Sequence, residues 1–129
     1  MGNYNKLITG KVIRGKGFGS SILGIPTANL DVLLDIDDGV YYGYATLYGI
    51  KYNMVMSTGI PPNFPTKRTV EVHLLDLPSN IISFYDEELI VEIVDFIRIM
   101  DKYDTINSLI DAIKKDIEFA KSKLAQINE

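Results

Sequence analysis

Apolar and polar residues alternate along short segments in the first hundred positions of the chain, which predicts half-buried β-strands. The clearest alternation spans 69–75. One face carries Val70, Val72 and Leu74, and the other carries Glu71, His73 and Leu75. Segment 88–98 is apolar on both faces, which predicts a strand that is packed from two sides. One face carries Leu89, Val91, Ile93 and Ile97, and the other carries Ile90, Val94 and Phe96.

Turn-forming residues separate the other predicted strands. Segments 39–48 and 51–57 are rich in aromatic and β-branched residues and meet at Tyr48-Gly49, which predicts a hairpin. A short strand is predicted over 10–14. Loops are predicted where glycine and proline cluster, at Gly15, Gly17, Gly19 and Gly24, and at Pro61, Pro62 and Pro65.

After Tyr103 the apolar period becomes helical, which predicts one amphipathic helix that begins after Asp104 or Thr105 as the N-cap. Its apolar stripe consists of Ile106, Leu109, Ile110, Ile113, Ile117, Ala120 and Leu124. Five or six short strands followed by one helix cannot bury their apolar faces as a flat sheet. We therefore expect a small antiparallel barrel, with the helix packed against it as a lid or plug.

The composition narrows the chemistry that this chain can perform. Its 129 residues fit a single domain over 1–129. With no Cys and one His, it cannot assemble a disulfide, a thiolate nucleophile or a histidine-rich metal centre, so a metal would be held by oxygen. A net charge of -4 disfavours bulk nucleic-acid binding. Without an apolar run of about 18 to 20 residues, we expect no membrane span and a cytoplasmic location.

The glycine-rich segment 15–24 is the first candidate for a binding site. Gly15, Gly17 and Gly19 alternate with other residues, and a backbone without Cβ atoms can present N–H groups to phosphate oxygens. The segment lacks the Lys-Ser ending of a P-loop, and no helical pattern follows it. A plain glycine-rich turn is therefore an equally open interpretation.

The tetrapeptide Pro26-Thr27-Ala28-Asn29 is the second candidate. In an extended segment the Thr27 hydroxyl and the Asn29 carboxamide project to the same side, where they offer two neutral oxygens to a hard cation such as Mg²⁺. Local spacing alone favours the alternative that both residues cap a turn.

Glu71 is the third candidate. A carboxylate held on a rigid strand can accept a proton from a substrate hydroxyl. By residue type alone, Glu71 is interpreted more simply as a surface charge, and its neighbour His73 as a packed or hydrogen-bonded side chain.

Taken in order, these motifs resemble the riboflavin kinase (flavokinase) family from Gly10 to about Leu124. The most specific matches are LGIPTAN at 23–29 and VEVHLL at 70–75. Further matches are GKVIRG at 10–15, GVYYG at 39–43, Gly59 with Pro62 and Phe64, and Arg98 followed by Lys102-Tyr103.

The resemblance implies a six-stranded antiparallel Greek-key β-barrel with a C-terminal α-helix. It also implies Mg²⁺-dependent transfer of the ATP γ-phosphoryl group to the ribityl 5′-hydroxyl of riboflavin, which gives FMN and ADP. ATP is then a co-substrate, and the protein is a monofunctional kinase, because 129 residues leave no room for the adenylyltransferase module that is fused to this kinase in many bacteria. We expect a monomer whose partners are riboflavin and ATP.

The resemblance also implies roles for individual residues. Glu71 is the expected general base, and Thr27 and Asn29 are the expected Mg²⁺ ligands. The expected contacts to nucleotide and flavin come from Gly15, Lys16, Gly17, Gly19, Pro26, Thr27, Asn29, Arg98 and Tyr103. Arg98 and the loop before the helix are expected to border the flavin.

The chain departs from the family pattern at four places. Ser21 stands where the family usually has Lys or Arg, and Lys16 is the candidate replacement for that charge. Pro61 takes a position that is usually polar. Asp86 and Ile99 follow Tyr85 and Arg98, where the family has Gly and Pro. A catalytically silent flavin- or nucleotide-binding barrel is therefore the alternative hypothesis, and a small oligonucleotide-binding barrel is a weaker one.

Overall fold

The computed structural model describes residues 3–13, 27–32, 35–60, 68–77 and 87–127. Six strands and one helix follow one another within these residues. They are β1 (Asn3–Ile13), β2 (Thr27–Asp31), β3 (Gly39–Leu47), β4 (Ile50–Gly59), β5 (Thr69–Leu74), β6 (Glu88–Arg98) and α1 (Ile106–Ile127). The strands pair antiparallel and close into a barrel in the order β1-β2-β5-β4-β3-β6. The expected barrel with a C-terminal helix is confirmed.

The barrel interior is filled by apolar side chains from its own strands, because every second residue of a strand points to the same face. On β5 these are Val70, Val72 and Leu74, as the alternation predicts, and they join one cluster with residues from the other five strands. Tyr41 also lies inside and is fully buried, and its hydroxyl donates to the Asp37 carbonyl oxygen at 2.6 Å. A packed interior of this kind has no room for a substrate, so any site must lie on the outer wall or at an end.

The predicted hairpin is confirmed as β3 and β4, which pair from Leu47↔Ile50 to Gly39↔Thr58. Tyr48 and Gly49 both have positive φ, 53° and 78°. This is the backbone of a two-residue type I′ turn, whose twist matches that of the flanking strands. Strand β1 is longer than predicted and begins at Asn3, because its first residues pair with β6.

Strand β6 changes which face points inward partway along its length. Its register with β3 shifts twice, between Tyr42 and Gly43 and again between Val40 and Tyr41. After the first shift Phe96 packs with the interior cluster, and at the second shift Ile97 packs outside with Val94. The predicted grouping of Ile97 with the inner residues and of Phe96 with the outer ones is therefore wrong, because each bulge displaces the alternation by one residue.

Helix α1 packs against the outside of the barrel. Its buried residues Ala120 and Leu124 contact an outer cluster that includes Val40, Tyr42 and Val55 from β3 and β4. The expected packing of the helix against the barrel is confirmed, whereas the expectation of a plug is wrong, since the interior cluster contains no residue of α1 among the described ones. Of the predicted stripe, Ile106 is exposed.

The helix begins after Thr105, which settles the choice between the two predicted N-caps. The Thr105 hydroxyl accepts a hydrogen bond from the Ser108 backbone N–H at 3.1 Å. The Ser108 hydroxyl in turn lies 2.9 Å from the Thr105 carbonyl oxygen. Among the described residues, no helix combines the length and the hydropathy that crossing a bilayer requires.

We predict that Gly43→Ala destabilises the fold by at least about 3 kcal/mol, because the bulge brings the backbone of β6 against this residue. A Cβ at position 43 would overlap the Glu92 carbonyl oxygen and lie 2.9 Å from the Val94 nitrogen. Gly10→Ala is the matched control, since a Cβ there would meet Val32 and Leu30 at ordinary contact distance. Urea unfolding measures both variants, and equal midpoints would contradict the prediction.

Candidate active site

Register places three of the predicted site residues in one row on the outer wall of the barrel. Asn29 on β2 lies opposite Glu71 on β5, and Glu71 lies opposite Ser57 on β4. The row continues through Val40 on β3 to Arg98 on β6. Directly opposed residues on antiparallel strands have Cβ atoms about 5 Å apart. Asn29 and Glu71 are therefore immediate neighbours, and Arg98 stands three strands further round.

The Glu71 carboxylate is held at the surface by a histidine. Its side chain is 20% exposed, and its Oε1 lies 3.3 Å from Nε2 of His73. His73 shares the outer face of β5 but is almost covered, with 7% of its side chain exposed. The alternation predicted both side chains on this face, and the structure adds that they contact each other.

One of the two side chains that the sequence proposes for a cation, that of Asn29, lies beside this carboxylate. The backbone of Thr27 pairs with that of His73, and Asn29 is half-buried opposite Glu71. The Thr27 side chain lies outside what the structure describes, as do Gly15, Lys16, Gly17, Gly19 and Pro26. Among the described residues, no three His, Cys, Asp or Glu side chains come together as a metal site.

Arg98 joins the barrel to the helix. Its Nε and Nη2 each donate to one carboxylate oxygen of Asp116 on α1, both at 2.8 Å. Asp116 is buried and Arg98 is partly exposed. The hydrogen bond to Asp116 raises the pKa of the Arg98 guanidinium above its ordinary value, against an opposing effect of burial. A bidentate pair of this kind fixes the angle as well as the distance between two elements.

The loop between β6 and α1 is fixed by the same guanidinium. Nη1 of Arg98 donates to the Ile99 carbonyl oxygen at 3.2 Å, and the Tyr103 ring lies 5.8 Å from the guanidinium carbon. Burial raises the pKa of the Tyr103 phenol, and the positive charge of Arg98 opposes this. Arg98 and Tyr103, predicted separately as flavin-site residues, are thus brought together.

Sequence reasoning missed two residues that organise this surface. Asp116 lies on the apolar stripe of the helix, four residues before Ala120, and a charge at such a position is the signal that could have found it. Arg68 donates from Nε to Asp38 at 2.7 Å and from Nη2 to Thr58 at 3.2 Å. It therefore ties the segment before β3 to the end of β4, and no local pattern indicates this contact.

These features define a class: a small closed β-barrel whose outer wall carries a carboxylate beside the carboxamide of an asparagine. The family model for Flavokinase, described as riboflavin kinase, matches residues 3–124, and the chain belongs to this family. Riboflavin kinase from Homo sapiens is 42% identical over 123 residues, which cover 89% of this chain and 78% of that protein. The bifunctional riboflavin kinase/FMN phosphatase from Arabidopsis thaliana is 43% identical over 127 residues, 91% of this chain and 32% of that protein.

A solved structure has the same fold. The crystal structure of riboflavin kinase from Trypanosoma brucei superposes with a TM-score of 0.68 at 26% identity, and the match covers 92% of this chain and 79% of that one.

We predict that Asp116→Asn lowers the free energy of unfolding by about 2 to 3 kcal/mol, because it leaves the partly buried Arg98 without its counter-charge. The exposed helix residue Asp111 supplies the control, and Asp111→Asn should change stability by less than about 0.5 kcal/mol. Thermal and urea unfolding measure both. A loss for Asp116→Asn no greater than for the control would show that the pair does not hold the helix.

Proposed function

We propose that this chain is a riboflavin kinase that transfers the γ-phosphoryl group of ATP to the ribityl 5′-hydroxyl of riboflavin. The hydroxyl oxygen forms a bond to the γ-phosphorus, the bond from that phosphorus to the bridging oxygen breaks, and FMN and ADP leave. Membership of the family supports the reaction. The observation that supports the site is the adjacency of Glu71 and Asn29 on one outer row, because a carboxylate and a carboxamide oxygen are then neighbours, as a base beside a cation ligand would require.

Glu71 is proposed to accept the hydroxyl proton. Phosphoryl transfer proceeds through a loose transition state, so the protein contributes mainly by placing the reactants in line and neutralising charge. A carboxylate on a rigid strand suits this role, because it orients the hydroxyl and takes its proton late. This chemistry needs no protein nucleophile, so a chain without Cys and with one His has the side chains that it requires.

Thr27 and Asn29 are proposed to hold Mg²⁺. When bound, the ion would supply positive charge that neutralises the ATP phosphates. The residues present fit a hard cation, because both side chains offer neutral oxygens on one short strand next to Glu71. The glycine-rich segment with Gly15, Lys16, Gly17 and Gly19 is proposed to contact the phosphates, and Pro26 to contact the nucleotide.

The flavin is proposed to lie near the loop that leads from β6 to α1. Arg98 is engaged by Asp116 and Ile99, so its contribution is to set the start of this loop, and Tyr103 follows it. Met100 and Ile99 are exposed beside Arg98 and offer apolar surface to a planar ring. Covering the reactants there would exclude water as a competing acceptor. The catalytically silent barrel has no support in the comparisons, and the expectations of a monomer and a cytoplasmic location stay predictions.

We predict that Glu71→Gln lowers kcat by about 10²- to 10⁴-fold while KM for riboflavin changes little, because a general base assists the transition state and not binding. Glu92→Gln is the control: Glu92 is a half-buried strand glutamate whose partner is Lys51, 3.8 Å away. A coupled assay for ADP with riboflavin, ATP and Mg²⁺ measures both variants. Wild-type turnover in Glu71→Gln would remove Glu71 from the mechanism.

We predict that Thr27→Ala abolishes the part of ATP binding that depends on Mg²⁺ and leaves the fold intact. The reason is that one of two proposed protein ligands is removed while β2 keeps its backbone pairing. Calorimetric titration with ATP, with and without Mg²⁺, reads binding without turnover. A magnesium dependence equal to that of the wild type would refute the ligand role.

A further inference from the structure

We infer that His73 is a positioning residue for Glu71, which it holds in the orientation needed to accept the substrate proton. This inference rests on the proposed function, in which Glu71 is the general base. It adds a residue to which neither the family resemblance nor the comparisons assign a role.

The contact between the two side chains is sheltered from solvent. Nε2 of His73 lies 3.3 Å from Oε1 of Glu71, and the histidine side chain is 7% exposed against 20% for the glutamate. In the ladders His73 stands between Thr27 of β2 and Val55 of β4, and Val55 belongs to the cluster beneath the helix. A hydrogen bond to an ionised carboxylate strengthens as water is excluded from it.

One nitrogen of the His73 ring, Nε2, contacts Glu71. Nδ1 is buried and has no hydrogen-bond partner among the described residues. Within the residues that the structure describes, the polar contact of this ring is to Glu71, and the geometry points to that contact as the reason for a polar ring at this position.

The same geometry assigns the tautomer. An ionised carboxylate can only accept, so Nε2 must carry the hydrogen.

This contact limits the motion of the base. A glutamate side chain has three rotatable bonds and, on an outer wall, many accessible rotamers. Fixing Oε1 on His73 restricts them and leaves Oε2, which makes no hydrogen bond within the described residues, to face the substrate hydroxyl. A general base whose orientation is no longer fixed would slow the chemical step without weakening substrate binding.

The test compares two amide variants that differ only in reach. The amide of Gln extends to the place of Nε2 and can donate to Glu71, whereas that of Asn ends near the place of Nδ1. We expect His73→Asn to lower kcat by about 10- to 100-fold with KM for riboflavin and ATP within about twofold, and His73→Gln to stay within about fivefold of the wild type in kcat. Circular dichroism and thermal unfolding verify that both variants fold. Equal turnover in the two variants, or a change in KM alone, would overturn the inference. If neither variant folds, His73 is required for the stability of the fold, which also contradicts a positioning role.

A double-mutant cycle separates this inference from the proposed function. If His73 acts through Glu71, His73→Asn should lower kcat by less than about threefold further in the Glu71→Gln background. A full additional loss would mean that His73 acts independently of Glu71, which contradicts the inference and leaves Glu71 as the base. If Glu71→Gln itself turns over at the wild-type rate, the proposed function fails first.

A spectroscopic measurement needs no substrate. The chain has a single His, so in the untagged, ¹⁵N-labelled protein all imidazole nitrogen signals come from His73. We expect a protonated Nε2 in the absence of Mg²⁺ and nucleotide. The opposite tautomer would overturn the inference, because Nε2 could not then donate to the carboxylate.

Discussion

The closure of six strands into a barrel constrains everything else in this molecule. A barrel this small is filled by the side chains that point inward, and here a continuous apolar cluster from all six strands occupies it. Substrates must then meet side chains that point outward. The ladders decide which of these are neighbours, and they place Asn29, Glu71 and Ser57 in one row across β2, β5 and β4. The adjacency of the candidate site residues is thus a consequence of backbone hydrogen bonding between strands.

The helix completes this arrangement by covering part of the outer wall. Ala120 and Leu124 bury Val40, Tyr42 and Val55, which would otherwise be an exposed apolar face on β3 and β4. The Arg98–Asp116 pair then fixes where the chain leaves the barrel and where it packs back onto it. Burial of apolar surface stabilises the packing of the helix on the barrel, and the bidentate ion pair fixes the orientation of the helix. The loop with Tyr103 is held between these two anchors.

The candidate site could be predicted from sequence to the extent that its residues share a short strand. Thr27 and Asn29, or Glu71 and His73, are two residues apart, so an extended backbone puts each pair on one face. The adjacency of Asn29 and Glu71 could not be predicted in this way, because it depends on the register of strands more than forty positions apart in the chain. The partnership of Arg98 with Asp116 is likewise non-local. Only the unexpected charge on the apolar stripe of the helix hinted at it.

The sequence by itself determined the strand and helix periods, the hairpin at Tyr48-Gly49, the exclusion of thiol and multi-histidine chemistry, and the motifs that resemble one family. These properties are local, since they depend on backbone conformation and on which functional groups are present at all. The tertiary structure decided that the helix lies outside the barrel, that Ile97 and Phe96 exchange faces at the bulges, and that His73 contacts Glu71. Each of these depends on register or on packing between distant segments. The periodicity of apolar residues along a strand or a helix does not depend on which segment packs against it, so it cannot specify the partner.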